Sequence, residues 1–219
     1  MRLSESIPTA GGLQSSRPST ALGRWRVAGA FFLSGFAALV YQVAWQRLLF
    51  VVVGVDIESV TIVVSTFMLG MGVGAVLGGW IADRVAGRIL AAFCLAEIAI
   101  ACYGLVSVGL LVGSAEAFSG LSRPAAALLC FGLLLIPTVC MGATLPMLVA
   151  HAFRSTRHIG VSTGTLYFVN TLGAACGALA VGFLLLYWFD LRQVVQFAAG
   201  ANLLASAIVA STVVWRARP

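Results

Sequence analysis

Seven acids and thirteen arginines, with no lysine, carry all the fixed charge of this 219-residue chain. Each charge that interrupts an apolar run is therefore a candidate for chemistry. Glu97 is the sharpest case, because it lies in "AAFCLAEIAIACYG" with no other charge between Arg88 and Glu116. An ionised carboxyl in apolar surroundings is costly, so Glu97 must be protonated, paired or turned towards a wet cavity. Such a group binds a cation or a proton, or, as a neutral acid, ties two helices together by a hydrogen bond. Asn170 and Thr144 are expected at a similar depth on neighbouring elements, where they would add neutral oxygens to the same cluster. The other acids offer less. Only Asp56 and Glu58 lie together, at a helix end, so no carboxylate pair is placed for acid–base catalysis, and no catalytic residue is expected. Cys94, Cys102, Cys130, Cys140 and Cys176 lack metal-ligand spacing and read as small packing residues, so neither a metal nor a cofactor is expected. His151 and His158 share a break with Arg154 and Arg157. That break reads as a basic loop facing lipid headgroups, with a pH sensor as the alternative.

The elements that must position these residues follow from composition. Hydrophobic residues make up 61% of the chain and charged ones 9%, against about 25% charged in a soluble domain. Residues 1–24 are rich in Ser, Pro, Gly and Thr and read as a disordered cytoplasmic tail. Residues 25–219 read as an all-α transmembrane domain. Six apolar spans are expected near 27–50, 58–82, 89–112, 125–150, 160–187 and 193–214, each close to the roughly 20 residues that cross a bilayer. The first is too long for a cleavable signal and has no cleavage pattern after it. Most arginines fall in the tail, the second and fourth breaks and the C-terminus. The positive-inside rule then puts both termini in the cytoplasm, and an even number of spans agrees. The net charge of +6 is scattered rather than gathered on one soluble face. It points to anionic lipid of a cell inner membrane and not to nucleic acid.

"GMGVGAVLGGWIADR", residues 70–84, is rich enough in glycine to raise the question of a phosphate-binding loop. Such a loop needs a strand before it and a helix start after it. Here the glycines lie inside an apolar span that ends at Asp83. Gly70, Gly74 and Gly78 recur every four residues and so share one helix face, where a neighbouring backbone can approach closely. The pattern returns at Gly173 and Gly177. Leu69-Gly70-x3-Gly74-Ala75-Val76-x2-Gly79-Trp80 aligns without gaps on Leu172-Gly173-x3-Gly177-Ala178-Leu179-x2-Gly182-Phe183, an offset of 103 residues. The copies lie in spans two and five, which cross in opposite directions, so spans one to three and four to six would be related by inversion, an arrangement typical of transporters. Coincidence between two Gly/Ala-rich helices is the alternative.

Two resemblances follow from these segments. Gly70-x8-Gly79-x3-Asp83-Arg84-x2-Gly87-Arg88 resembles the loop signature of the major facilitator superfamily, with one residue added before the last Gly-Arg. It implies half of a facilitator fold, with Asp83, Arg84 and Arg88 as a conformational latch. "FFLSGFAALVYQVAWQRLL", "FMLGMGVGAVLGGWIADR", "PTVCMGATLPMLV" and "GTLYFVNTLGAACGALAVGFLLL" resemble the membrane region of spermidine synthase-like membrane proteins. In that family a soluble aminopropyltransferase-like domain usually follows the helices. None is expected within these residues, so no enzymatic activity is expected of them.

Two functions stay open. One is a transporter-like domain that binds or moves a polyamine or another small cation, the substrate class being implied by the resemblance alone. The other is a non-transporting membrane anchor or an assembly subunit of a larger complex. Half a facilitator bundle leaves one broad face without its counterpart, so a homodimer or a hetero-complex within the lipid bilayer is expected.

Overall fold

The computed structural model describes residues 18–53, 56–85, 87–114, 120–156 and 159–216. The chain is all-α, with six helices among the described residues long and apolar enough to cross a membrane. They are α1 (Pro18–Val53), α2 (Asp56–Arg84), α3 (Ile89–Gly113), α4 (Arg123–Thr156), α5 (Ile159–Ala180) and α6 (Leu191–Arg216). A π turn at Val181–Leu185 and a last short turn at Leu186–Trp188 prolong α5. The first helix begins at Pro18, ahead of the boundary expected at residue 25. Residues 1–17 of the expected tail, and His158 of the basic loop, lie outside the described residues.

Aromatic residues mark the ends of the bundle. Trp25 and Trp80 are exposed near one end, Tyr187 and Trp188 near the other, which is where amphipathic rings sit at membrane–water boundaries. The Arg84 guanidinium stacks 3.4 Å above the Trp80 ring, one helical turn away.

The helices pack in a pattern that respects the 103-residue offset. The two most extensive contacts are α2 with α4 and α1 with α5. Exchanging α1 with α4, α2 with α5 and α3 with α6 turns one of these contacts into the other. The same exchange turns α1–α6 into α4–α3 and α1–α2 into α4–α5, and returns α3–α6 and α1–α4 to themselves, while the smaller α1–α3 contact has no equally extensive counterpart between α4 and α6. Individual residues obey it too. A Cβ added at Gly74 would meet the carbonyl oxygen of Val139, and one at Gly177 that of Phe36; residues 36 and 139 are again 103 apart.

Close backbone approach explains why glycine occupies these positions. Gly70, Gly74 and Gly78 lie against Thr138, Val139 and Ala143 of α4, and Gly142 of α4 lies against Met71 in return. Gly173 and Gly177 lie against Phe32 and Phe36 of α1, and Gly35 of α1 against Asn170. In hydrocarbon there is little hydrophobic force between helices, so the dispersion gained from such contacts carries much of their association. The position matching Gly78 is Val181, where α5 widens into its π turn.

Two prolines, Pro137 and Pro146, lie inside α4. A proline has no N–H, so the carbonyl four residues earlier loses its helical donor. For Pro137 that carbonyl is Leu133, and the Tyr103 hydroxyl of α3 donates to it at 2.6 Å. An interhelical bond thus repairs the defect and pins α3 to α4.

Replacing Gly74 by Ala should lower stability in mild detergent by about 1–3 kcal/mol through overpacking. The same change at Gly72, which faces open space, should gain up to about 1 kcal/mol of helix propensity. Thermal unfolding of the two variants checks this, and equal shifts would show that the stripe does not hold α2 against α4.

Candidate functional site: a buried polar seam between α1, α3 and α6

Glu97 lies about two turns into α3, roughly 12 Å from its start at 1.5 Å per residue. It is completely buried, with 0% of its surface exposed. The spacing that buries Phe93, Glu97, Ile100, Ala101 and Gly104 on one face of α3 turns the acid towards α1 and α6. Its partner is Asn202 of α6, whose Nδ2 donates to Glu97 Oε2 at 2.5 Å. The Ser34 hydroxyl of α1 is a second polar neighbour. One turn away the same two helices are tied reciprocally. Ser206 Oγ donates to the Cys94 carbonyl at 3.3 Å, and the Cys94 thiol donates to the Ser206 carbonyl at 3.4 Å.

The seam continues towards the C-terminal ends of α1 and α3. Tyr41 lies against Gly104, whose missing side chain leaves room for the phenol ring and hydroxyl. Next to it, Trp45 Nε1 donates to Ser107 Oγ at 2.9 Å, and Ser107 Oγ donates to the Gly104 carbonyl at 2.7 Å. Tyr41 stacks on Trp45 with centroids 4.9 Å apart, while Phe67 and Tyr103 meet the indole at 6.1 and 6.4 Å. This aromatic cluster plugs the bundle on one side of the acid.

Three buried polar atoms in the seam have no hydrogen-bond partner: Tyr41 Oη, Glu97 Oε1 and Asn202 Oδ1. Water cannot touch them. Two clefts of about 480 and 330 Å³ lie at the α5–α6 connection, lined by Gln193, Gln196 and Phe197 and by Arg47 and Asp190 among others. Neither reaches Glu97.

The residues expected to join Glu97 are divided by the fold. Asn170 of α5 turns to α1, its Nδ2 donating to the Phe31 carbonyl at 3.1 Å. Thr144 donates to the Met141 carbonyl of its own helix at 2.7 Å. Counting residues from a membrane face fixes depth but not azimuth, and α5 packs against α1 rather than α3. Depth counted from the adjoining ends of α4 and α5 also leaves α6 out. There Asn202, an amide in mid-span with Ser206 one turn on, is the signal that could have found the partner. Asp83, Arg84 and Arg88 are exposed at the turn between α2 and α3. Among the described residues, no three His, Cys, Asp or Glu side chains come together.

Over 170 residues the chain is 28% identical to polyamine aminopropyltransferase 2 of Streptomyces coelicolor, a match that takes in 76% of this chain and 30% of that protein. The likeness is to part of an aminopropyltransferase. The chain spans less than a third of that relative's length, and the match agrees in kind with the spermidine synthase-like resemblance of the membrane segments. No family model matches the chain. No solved structure matches it either.

Gly104→Ala should push Tyr41 out of its slot and destabilise the bundle by about 1–3 kcal/mol. Gly109→Ala, on the exposed face with nothing near it, should be neutral or stabilising. Unfolding of both variants in detergent checks the placement of Tyr41, and equal effects would contradict it.

Proposed function

We propose that this chain is a transporter-like membrane module that binds a polyamine or another small organic cation at Glu97 when the seam between α3 and α6 opens. The observation that carries the reading is a fully buried carboxyl in mid-membrane with one oxygen unpartnered. A carboxyl at that depth is expensive, and such groups mark ion and substrate paths. Asn202 Oδ1 and Tyr41 Oη, also unpartnered, add neutral oxygen ligands, and the Trp45 cluster adds aromatic faces that attract an ammonium group. The name of the similar Streptomyces protein, a polyamine aminopropyltransferase, supports polyamines as the substrate class. The paired contacts under the 103-residue offset support two inverted halves that rock about α3 and α6. In this reading the exposed Asp83, Arg84 and Arg88 form the latch at the α2–α3 turn. The arginine distribution supports an inner-membrane location with both termini cytoplasmic.

The chain performs no aminopropyl transfer of its own in this reading. A second reading, an anchor or assembly subunit for an aminopropyltransferase, draws on the same partial match. Both readings accommodate a homodimer or a hetero-complex.

Spermidine binding to the full chain in liposomes tests the proposal. Glu97→Gln should leave the protein folded and reduce spermidine affinity at least tenfold. A Gln variant that binds spermidine as the parent does would end the cation reading. Parent liposomes that bind none would leave the assembly reading in its place.

A further inference from the structure

The two unpartnered oxygens of the Glu97–Asn202 pair belong to the same two side chains that are already joined at 2.5 Å. If Glu97 is ionised, Oε1 and Oδ1 are both acceptors, and a buried negative charge is held only by neutral donors, the Asn202 amide and the Ser34 hydroxyl, with no positive charge beside it. If Glu97 carries a proton on Oε1, the acid and the amide become complementary along one edge. The acid O–H donates to Oδ1 while the amide N–H donates to Oε2. One proton then satisfies both orphans. Turning the amide over leads to the same requirement. Oδ1 would then stand 2.5 Å from Oε2, a distance typical of O–H···O bonds and reached only with a proton between the oxygens.

The surroundings offer no positive charge in place of that proton. α1, α4 and α6 contain no acid, and their basic residues Arg24, Arg26, Arg47, Arg123, His151, Arg154, Arg192 and Arg216 fall towards the helix ends. The titratable groups that feel Glu97 are Tyr41 of α1 and Cys94 of α3, and neither brings a positive charge. Ser34 and Ser206 do not titrate. Glu97 and Asn202 are 0% and 1% exposed, so bulk water does not reach the pair.

We propose that the proton is itself a ligand of this site: the closed bundle is the form in which Glu97 is the neutral acid paired edge to edge with Asn202. Loss of the proton leaves two unpartnered acceptors and a buried charge, so the deprotonated form opens the α3–α6 seam. An organic cation and a proton therefore compete for one carboxyl. The inference deepens the cation reading above, but its core, the protonated pair, stands without any bound cation.

Infrared spectroscopy of the full chain in lipid, without polyamine, reads the proton directly. At neutral pH the parent should show the carbonyl stretch of a protonated carboxylic acid. The band should move on labelling with isotopic glutamate, disappear in Glu97→Gln and shift in Asn202→Leu, where the hydrogen-bond partner is lost. Gln has the donor and acceptor pattern of the neutral acid, so Glu97→Gln should melt no lower than the parent. Should that variant fail to fold, the isotope shift in the parent still decides the question. No protonated-acid band at neutral pH, or a band indifferent to glutamate labelling, overturns the proposal. The two readings fail separately: a protonated Glu97 that binds no spermidine removes the cation alone, and spermidine binding to an ionised Glu97 removes the proton alone.

Discussion

Inside hydrocarbon a polar group finds its partner within the protein or goes without one, because no water is present to take its place. The arrangement of α3 follows from that constraint. Three of its polar side chains are spent on three different neighbours. Glu97 takes the amide of Asn202 on α6, Ser107 takes the indole N–H of Trp45 on α1, and Tyr103 supplies the donor that Pro137 withholds from Leu133 on α4. Each bond fixes the rotation of α3 against one neighbour, and together they leave it a single setting. The apolar residues around them fill space without choosing that setting, since lipid tails would solvate them equally well.

Around this polar axis the close contacts are made by small residues. The α2–α4 and α1–α5 interfaces are the most extensive in the bundle, and in both the glycines let backbone meet backbone. The offset that relates the two interfaces leaves α3–α6 mapped onto itself. The Glu97–Asn202 pair therefore joins two helices that correspond to each other under that offset.

Much of this architecture is legible in the sequence. The six apolar runs match the six helices to within a few residues, except at Pro18, where a Ser/Pro-rich stretch concealed the first turns of α1. The glycines at 70, 74 and 78 betray their spacing, because a four-residue period is itself a statement about one helix face. Glu97 stands out because a lone acid in an apolar run has few innocent explanations. Its partner does not, because which faces meet depends on the rotation of each helix about its axis, and the sequence carries that only through residue pairs. Asn170 and Asn202 look alike as isolated amides in apolar spans. One caps the α1 backbone at Phe31 and the other holds the acid, and the difference lies in whether α5 or α6 packs on α3. The repair of Pro137 by Tyr103 is hidden for the same reason, although a proline in mid-span announces that some donor must answer it.

The account rests on one contact, the bond between Glu97 and Asn202. A double-mutant cycle measures it most directly, using Glu97→Leu, Asn202→Leu and the double variant unfolded in mild detergent. Hydrogen bonds between membrane helices average about 0.6 kcal/mol and reach about 1.7 kcal/mol. A sealed acid–amide pair should lie at or above the upper figure, so each single variant, which leaves one polar group buried alone, should cost nearly as much as the double. Strict additivity of the two single effects would mean that the side chains do not share a bond, and would contradict the account.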